Sequence, residues 1–129
     1  VLDLPPFSDL EINALQRAST VVLQKSLKEG FALTVTEALW KERPVVAMAV
    51  GGIPLQVLPG KTGYLVHTVE GTAVALRRVL EHPQEAAALA RNGREHVRQN
   101  FLITRHIRDY LSLFLCVLNP GKSVIRLAG

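Results

Sequence analysis

Ser26-Leu27-Lys28-Glu29-Gly30-Phe31-Ala32-Leu33-Thr34-Val35-Thr36-Glu37-Ala38-Leu39 lies between two apolar runs, Thr20-Val21-Val22-Leu23 before it and Val45-Val46-Ala47-Met48-Ala49 after it. Short apolar runs without alternation suit strands covered on both faces, so the stretch reads as the crossover between two buried parallel strands. Glu29 then falls in the loop leaving the first strand. Glu37, with seven residues between it and Glu29, falls about one turn into the helix that returns to the second. Open α/β sheets bind ligands outside the carboxyl ends of their strands, the edge to which this crossover delivers both carboxylates.

The residues between the two acids add to that expectation. Gly30 lets the loop turn and approach a ligand closely, and Phe31 and Leu33 are expected to anchor it in the core. A helix beginning near Leu33 or Thr34 aims its first N–H groups, and the positive end of its dipole, at the same loop, which favours phosphate. The pattern is that of an anion site with hydroxyl-binding acids beside it. Thr34-x-x-Glu37 also has the spacing of a capping box, in which Glu37 only satisfies the helix start, and the sequence leaves both readings open. Gly51-Gly52, just past the second strand, permits a close backbone approach at the same edge as Glu29 or forms an ordinary tight turn.

With 129 residues, 48% of them hydrophobic, and a mean hydropathy of +0.20, the chain can bury one core. It opens on Val1-Leu2-Asp3-Leu4, which reads as the end of a strand and carries no initiating Met, so a piece of a longer protein is expected. The balance of 15 Lys and Arg against 11 Asp and Glu, net +4, suits an anionic ligand. The bases are dispersed and aromatics are only 5%, which argues against nucleic acid as the partner. Cys116 is alone, which excludes a disulfide framework within the chain and makes a reducing compartment the default. Its longest apolar stretch, Leu113 to Leu118, is too short to cross a bilayer, so the expected location is cytoplasmic, with no membrane partner.

The remaining segments are read outward from the crossover. Pro5-Pro6 ends the opening strand, and Ser8-x-x-Glu11 reads as a capping box starting a helix to about Ala18 that buries Ile12, Leu15 and Ala18. That cap accounts for Asp9 and Glu11 without a metal, and no Asp-x-Asp occurs. Pro59-Gly60-Lys61-Thr62-Gly63 contains Gly-Lys-Thr, but Leu55 stands where a phosphate-binding P-loop needs glycine, so it reads as a turn into a third strand, Gly63-Tyr64-Leu65-Val66. Val69, Ala73, Leu76 and Leu80 mark one helix, stopped by Pro83. Ala86, Leu89, Ala90, Gly93 and Val97 mark the buried face of a second, with Arg91, Glu95 and Arg98 as a solvated, mixed-charge surface. A third starts near Thr104 and is apolar both along Ile107, Tyr110, Leu111, Phe114 and Leu118 and along Leu113, Leu115 and Val117, so it is expected to need two partners. His67, His82, His96 and His106 have no second ligand at metal spacing and read as surface or packing residues.

On these residues the chain resembles the nucleotide-sugar-binding half of the GT-B glycosyltransferases, family 4. Glu29-Gly30-Phe31-Ala32-Leu33-Thr34-Val35-Thr36-Glu37-Ala38 looks like that family's paired-Glu signature. Pro44-Val45-Val46, Gly51-Gly52-Ile53-Pro54 and Gly60-x-x-Gly63-Tyr64-Leu65-Val66 follow in the family's order. Residues Asp9 to Ser19, Lys25-Ser26 and Thr36-Glu37-Ala38-Leu39-Trp40 look most like its trehalose-synthase branch. The resemblance implies a Rossmann-like three-layer α/β fold with a parallel sheet. It also implies a donor-binding domain over residues 1–118, truncated at its N-terminus, and a tail over 119–129.

The resemblance further implies a retaining transfer of glucose from a nucleoside diphosphate-glucose to a sugar acceptor, free glucose in the trehalose-synthase branch, without a metal or other cofactor. Glu29 would be the catalytic residue, bonding the hydroxyls of the moving glucose. Glu37 would hold the ribose, and the backbone of Gly30, Phe31, Ala32 and Leu33, with Gly51 and Gly52, would meet sugar and phosphate. Ala32 stands where glycine is more usual in the family and is expected to narrow the room near the sugar. Leu55 stands where many relatives carry Glu, with Gln56 beside it as in the trehalose-synthase branch. The family's diphosphate-gripping basic pair and its acceptor domain precede this region, so the fragment is expected not to turn over alone and to self-associate through exposed apolar surface. The rivals are a family 4 enzyme of sucrose or glycan synthesis and a non-catalytic domain that binds nucleotide or a protein partner.

Overall fold

In the computed structural model, which describes residues 3–121, the run Val45-Val46-Ala47-Met48 is the central strand β2 (Val45–Met48). It lies between parallel neighbours β1 (Val22–Gln24) and β3 (Tyr64–Val66), with Val22 opposite Val45 and Val46 opposite Tyr64. Val45, Val46 and Ala47 are all fully buried, because successive side chains of a strand point to opposite faces and both faces here are covered. Val45 and Ala47 join Val35, Ala38 and Leu39 of α2 (Leu33–Trp40) together with Ile53, Val57 and Val97. Val46 faces the other way, with Val66, Ala75, Val79 and Ala86. Helices therefore cover both faces of a parallel sheet, the three-layer α/β arrangement expected. Only one of the two strands expected to be buried is so, however. β1 starts at Val22 rather than Thr20 and lies at the sheet edge, where Leu23 is left 40% exposed.

The long helices follow the periodicity unevenly. In α5 (Pro83–Asn100) the buried residues are Ala86, Leu89, Ala90, Gly93 and Val97, the expected face. In α4 (Val69–Glu81) the buried residues are Ala75 and Val79, with Leu76 partly covered, while Val69 and Leu80 stay exposed. The sequence offers two stripes at helical spacing, and contact with Val46 and Val66 selects the one with smaller side chains. Pro83 both ends α4 and occupies the first turn of α5, where its missing N–H costs nothing. Beside this junction the Tyr64 hydroxyl donates to Glu85 Oε1 at 2.6 Å, and Arg78 Nε donates to both oxygens of Glu85, tying β3, α4 and α5 together.

Two further helices depart from expectation. In α1 (Asp9–Ala18) the buried residue is Gln16, while Ile12 and Leu15 are 41% and 47% exposed. The expected capping box is also absent, because Ser8 Oγ donates to Pro5 O at 2.6 Å instead of capping the helix. In α6 (Ile103–Leu118) no residue is buried on either apolar side. Of the opening strand, Val1 and Leu2 fall outside the described residues, and Asp3 and Leu4 are not in a strand. In the tail, residues 122–129 lie outside the described region as well.

The charged surface of α5 makes the fold sensitive to acid. The hydrogen bond from Arg98 holds the Glu95 carboxyl down at about 2, from an ordinary 4.5, and the Tyr64 and Arg78 donors lower Glu85. Both carboxyls bind protons less readily folded than unfolded, so their contribution is present above pH 4.5 and is lost as the pH falls, for Glu95 toward about 2. The urea midpoint is expected to fall over that window and to fall less steeply in Glu95→Gln. An unchanged slope in that variant would remove Glu95 from the account. Both groups are at the surface, so added salt should shrink the difference.

Candidate functional site

The loop from β1 to α2 is shaped by two backbone features. Ala32, which precedes the first turn of α2, sits at φ 66°, ψ 72°. This left-handed conformation costs a residue with a Cβ about 1–2 kcal/mol, the physical reason for glycine to be favoured there. Its methyl group is packed with the core around Val35 rather than into open space, so the expected narrowing near a ligand does not arise from it. Phe31 and Leu33, the expected anchors, are 39% and 68% exposed, and Phe31 rests instead on Phe101 with ring centroids 5.6 Å apart. Ala32 and Val35 do the anchoring.

The second feature is the glycine pair. Gly52 N–H donates to Gly30 O at 2.7 Å, and a Cβ on Gly51 would stand 1.7 Å from Glu29 O. A Cβ on Gly52 would stand 2.7 Å from Gly30 O. The close approach that these glycines permit is therefore made by the acidic loop itself, and the structure brings Glu29, Gly30, Gly51 and Gly52 together. The pair leads into α3 (Ile53–Gln56), whose Gln56 Oε1 accepts from Thr36 Oγ1 of α2 at 2.8 Å.

Glu29 is half-buried and held from within its own loop. Its Oε1 accepts from Gly30 N–H at 3.1 Å, and its Oε2 from Ser26 Oγ at 3.2 Å and Gln24 Nε2 at 3.4 Å. Gln24 carries no signal of its own in the sequence and Ser26 stands there only as part of the resemblance, although they lie only five and three residues before Glu29. The Gly30 amide expected to face a ligand is thus engaged by the Glu29 carboxylate.

Glu37 has a different setting. No side chain caps α2, whose first helical residue is Leu33, so the capping box does not form and the helix-start account of Glu37 falls away. Its Oε2 instead accepts from Gln16 Nε2 at 3.2 Å, and the Lys41 ammonium donates to Gln16 Oε1. Leu33, Thr34, Glu37 and Lys41 line a cleft of about 440 Å³ against Asp9 and Asn13 of α1. The first two residues of α2 and Glu37 therefore line one opening, a place for an anion flanked by hydroxyls. Glu29 does not line that cleft. Gln16 had no local signal, because it reaches Glu37 across 21 residues of chain.

Among the described residues no group of three or more His, Cys, Asp or Glu side chains is placed to hold a metal ion. His96 packs edge-on against Phe101 and its Nε2 lies 3.0 Å from Leu55 O, a packing role as expected. No described helix is long and apolar enough to cross a membrane.

A family model for group 1 glycosyl transferases matches residues 3–96. The chain belongs to the group 1 glycosyl transferases. It is 52% identical over 103 residues to a trehalose synthase from Thermococcus litoralis, a match covering 80% of this chain and 25% of the relative. This group 1 chain thus spans about a quarter of the length of the curated relatives it matches. Among solved structures, sucrose-phosphate synthase from Thermosynechococcus elongatus superposes with a TM-score of 0.72 at 33% identity, covering 80% of this chain and 26% of that one. HepE from Anabaena, solved in complex with UDP-glucose, superposes with a TM-score of 0.69 at 28% identity, covering 80% and 30%. These neighbours carry the GT-B architecture, of which this chain forms part.

Proposed function

We propose that this chain is donor-binding machinery of a retaining glycosyltransferase that uses a nucleoside diphosphate-glucose, and that its parent joins the glucose to free glucose as a trehalose synthase. The observation that carries this reading is the shared cleft in which Glu37 stands beside the uncapped N-terminus of α2, within a sequence 52% identical to a trehalose synthase. Glu37 accepts hydrogen bonds from the ribose hydroxyls, and charge-assisted bonds of this kind are the stronger ones. The amides from Ala32 to Thr34 face the distal phosphate. As the glycosidic bond to that phosphate breaks, negative charge grows on the departing diphosphate, where fixed N–H donors stabilise it. Glu29 bonds the glucose hydroxyls through the carboxylate that the Gly30 amide, Ser26 and Gln24 hold in place. No metal enters this account.

Glu37→Ala is expected to weaken UDP-glucose binding about 10- to 100-fold by calorimetry, the value of one or two bonds to a charged acceptor. The fold should survive because Glu37 is exposed, with the unfolding midpoint lowered only by the one bond lost from Gln16 Nε2. Unchanged affinity would remove the ribose role. The sucrose-phosphate synthase neighbour at 33% identity supports a second reading with a different acceptor. An acceptor panel on the full-length parent separates the two by which sugar is glucosylated.

A further inference from the structure

We propose that Gln16 is the positioning residue for Glu37, acting as a rigid donor that presents the carboxylate to the cleft. The inference rests on the ribose reading of Glu37 given above. Gln16 is 94% buried, at 6% exposure, on a helix whose Leu10, Ile12 and Leu15 all face outward. A buried amide in place of an apolar side chain is costly unless both its ends are bonded. Here both are. The Lys41 ammonium can only donate, so the amide oxygen must face Lys41 and the NH₂ group must face Glu37.

The spacing within α2 gives this bridge a purpose. Glu37 and Lys41 stand four residues apart on one helix, the spacing at which acid and base pair directly. Inserted between them, Gln16 takes the ammonium on its oxygen and one carboxylate oxygen, Oε2, on its nitrogen. Lys41 is thereby kept off the carboxylate, and Oε1 has no hydrogen-bond partner among the described residues. A side chain already held in its binding rotamer does not have to be ordered when the ligand arrives.

The test is a double-mutant cycle in the full-length parent, which carries the diphosphate-gripping pair, read by calorimetry with UDP-glucose as the probe. Gln16→Met, nearly the same shape without the donor, is expected to weaken binding about tenfold. In a Glu37→Ala background the same change should cost nothing further, since its effect passes through the carboxylate. Gln16→Glu keeps the shape and the bond to Lys41 but sets a second carboxylate against Glu37, with Asp9 and Lys41 as the other charged groups at the cleft. Its affinity should be lowest at pH 8 and recover toward pH 5.5, as the paired carboxyls come to share a proton. A structural role would give no such profile. In nitrogen-edited NMR of the free chain, the Gln16 side-chain amide signals should shift in Glu37→Gln.

Full additivity of Gln16→Met with Glu37→Ala, or a pH-independent Gln16→Glu, overturns the positioning role and leaves the ribose reading intact. Unchanged binding in Glu37→Ala overturns both. A full-length parent that takes up no UDP-glucose does so too, while an unmoved Gln16 amide signal overturns the positioning role alone.

Discussion

Gly51→Ala is expected to lower the unfolding free energy by about 3 kcal/mol or more, whereas Gly60→Ala, at a similar backbone angle, should cost only about 1 kcal/mol. The two glycines share the left-handed conformation, with φ 54° at Gly51 and 69° at Gly60. They differ in what a methyl group would meet. At Gly60 nothing lies within 4 Å, so only the backbone strain is incurred. At Gly51 the methyl would lie 1.7 Å from Glu29 O, a backbone atom that cannot rotate away. Either the hydrogen bond from Gly52 N–H to Gly30 O breaks or the whole acidic loop moves. Urea unfolding of both variants reads the difference, and equal costs would mean that the glycine pair does not clamp the loop. If Gly51→Ala still folds, the same account predicts weakened UDP-glucose binding, because the loop carrying Glu29 and leading into α2 has shifted.

The second large effect is expected at the packing of α2 on α5. Leu39 is fully buried in the core between them, and Leu39→Ala should cost about 3 kcal/mol through lost burial and the cavity left behind. Gly93 of α5 faces it, and a Cβ there would stand 2.7 Å from Leu39 Cδ2. Gly93→Ala alone is therefore expected to destabilise, despite the gain of about 1 kcal/mol that alanine brings to a helix interior. In the Leu39→Ala background the clash is gone, and only Thr62 O, 3.3 Å from the new methyl, needs to give slightly. Gly93→Ala should then stabilise. A sign that does not reverse between the two backgrounds would show that Gly93 is there for some reason other than this contact.

The same two regions show what could be read before the tertiary structure was known. The face of α5 was legible because its five buried residues follow a single 3.6-residue stripe with no competing one. α4 carries two stripes, and only the sheet beneath it chose Ala75 and Val79 over Val69 and Leu80. α1 misled for a related reason: its apolar spacing was regular, yet Gln16 is the residue that faces α2. Apolar periodicity gives the direction of a helix's greasy side, not whether anything is there to cover it. α6, apolar on both sides and buried on neither, is the extreme case.

At the candidate site, the paired acids and the glycines were visible because they lie within short stretches whose backbone geometry depends on local residue type. Their hydrogen-bond partners were less so. Ser26 and Gln24 lie close enough to Glu29 that a turn brings them to it, but Gln16 meets Glu37 only because α1 packs across α2.

By itself the sequence determined a parallel α/β crossover bearing two carboxylates, since strand burial, glycine placement and helix starts are written in runs of neighbouring residues. Tertiary structure alone decided that Glu37 is held from α1 rather than spent on a helix cap, and that Gly51 and Gly52 are gripped by the acidic loop. Those outcomes depend on which distant surfaces meet, and a hydrogen bond or a steric contact exists only once both partners occupy the same few ångströms.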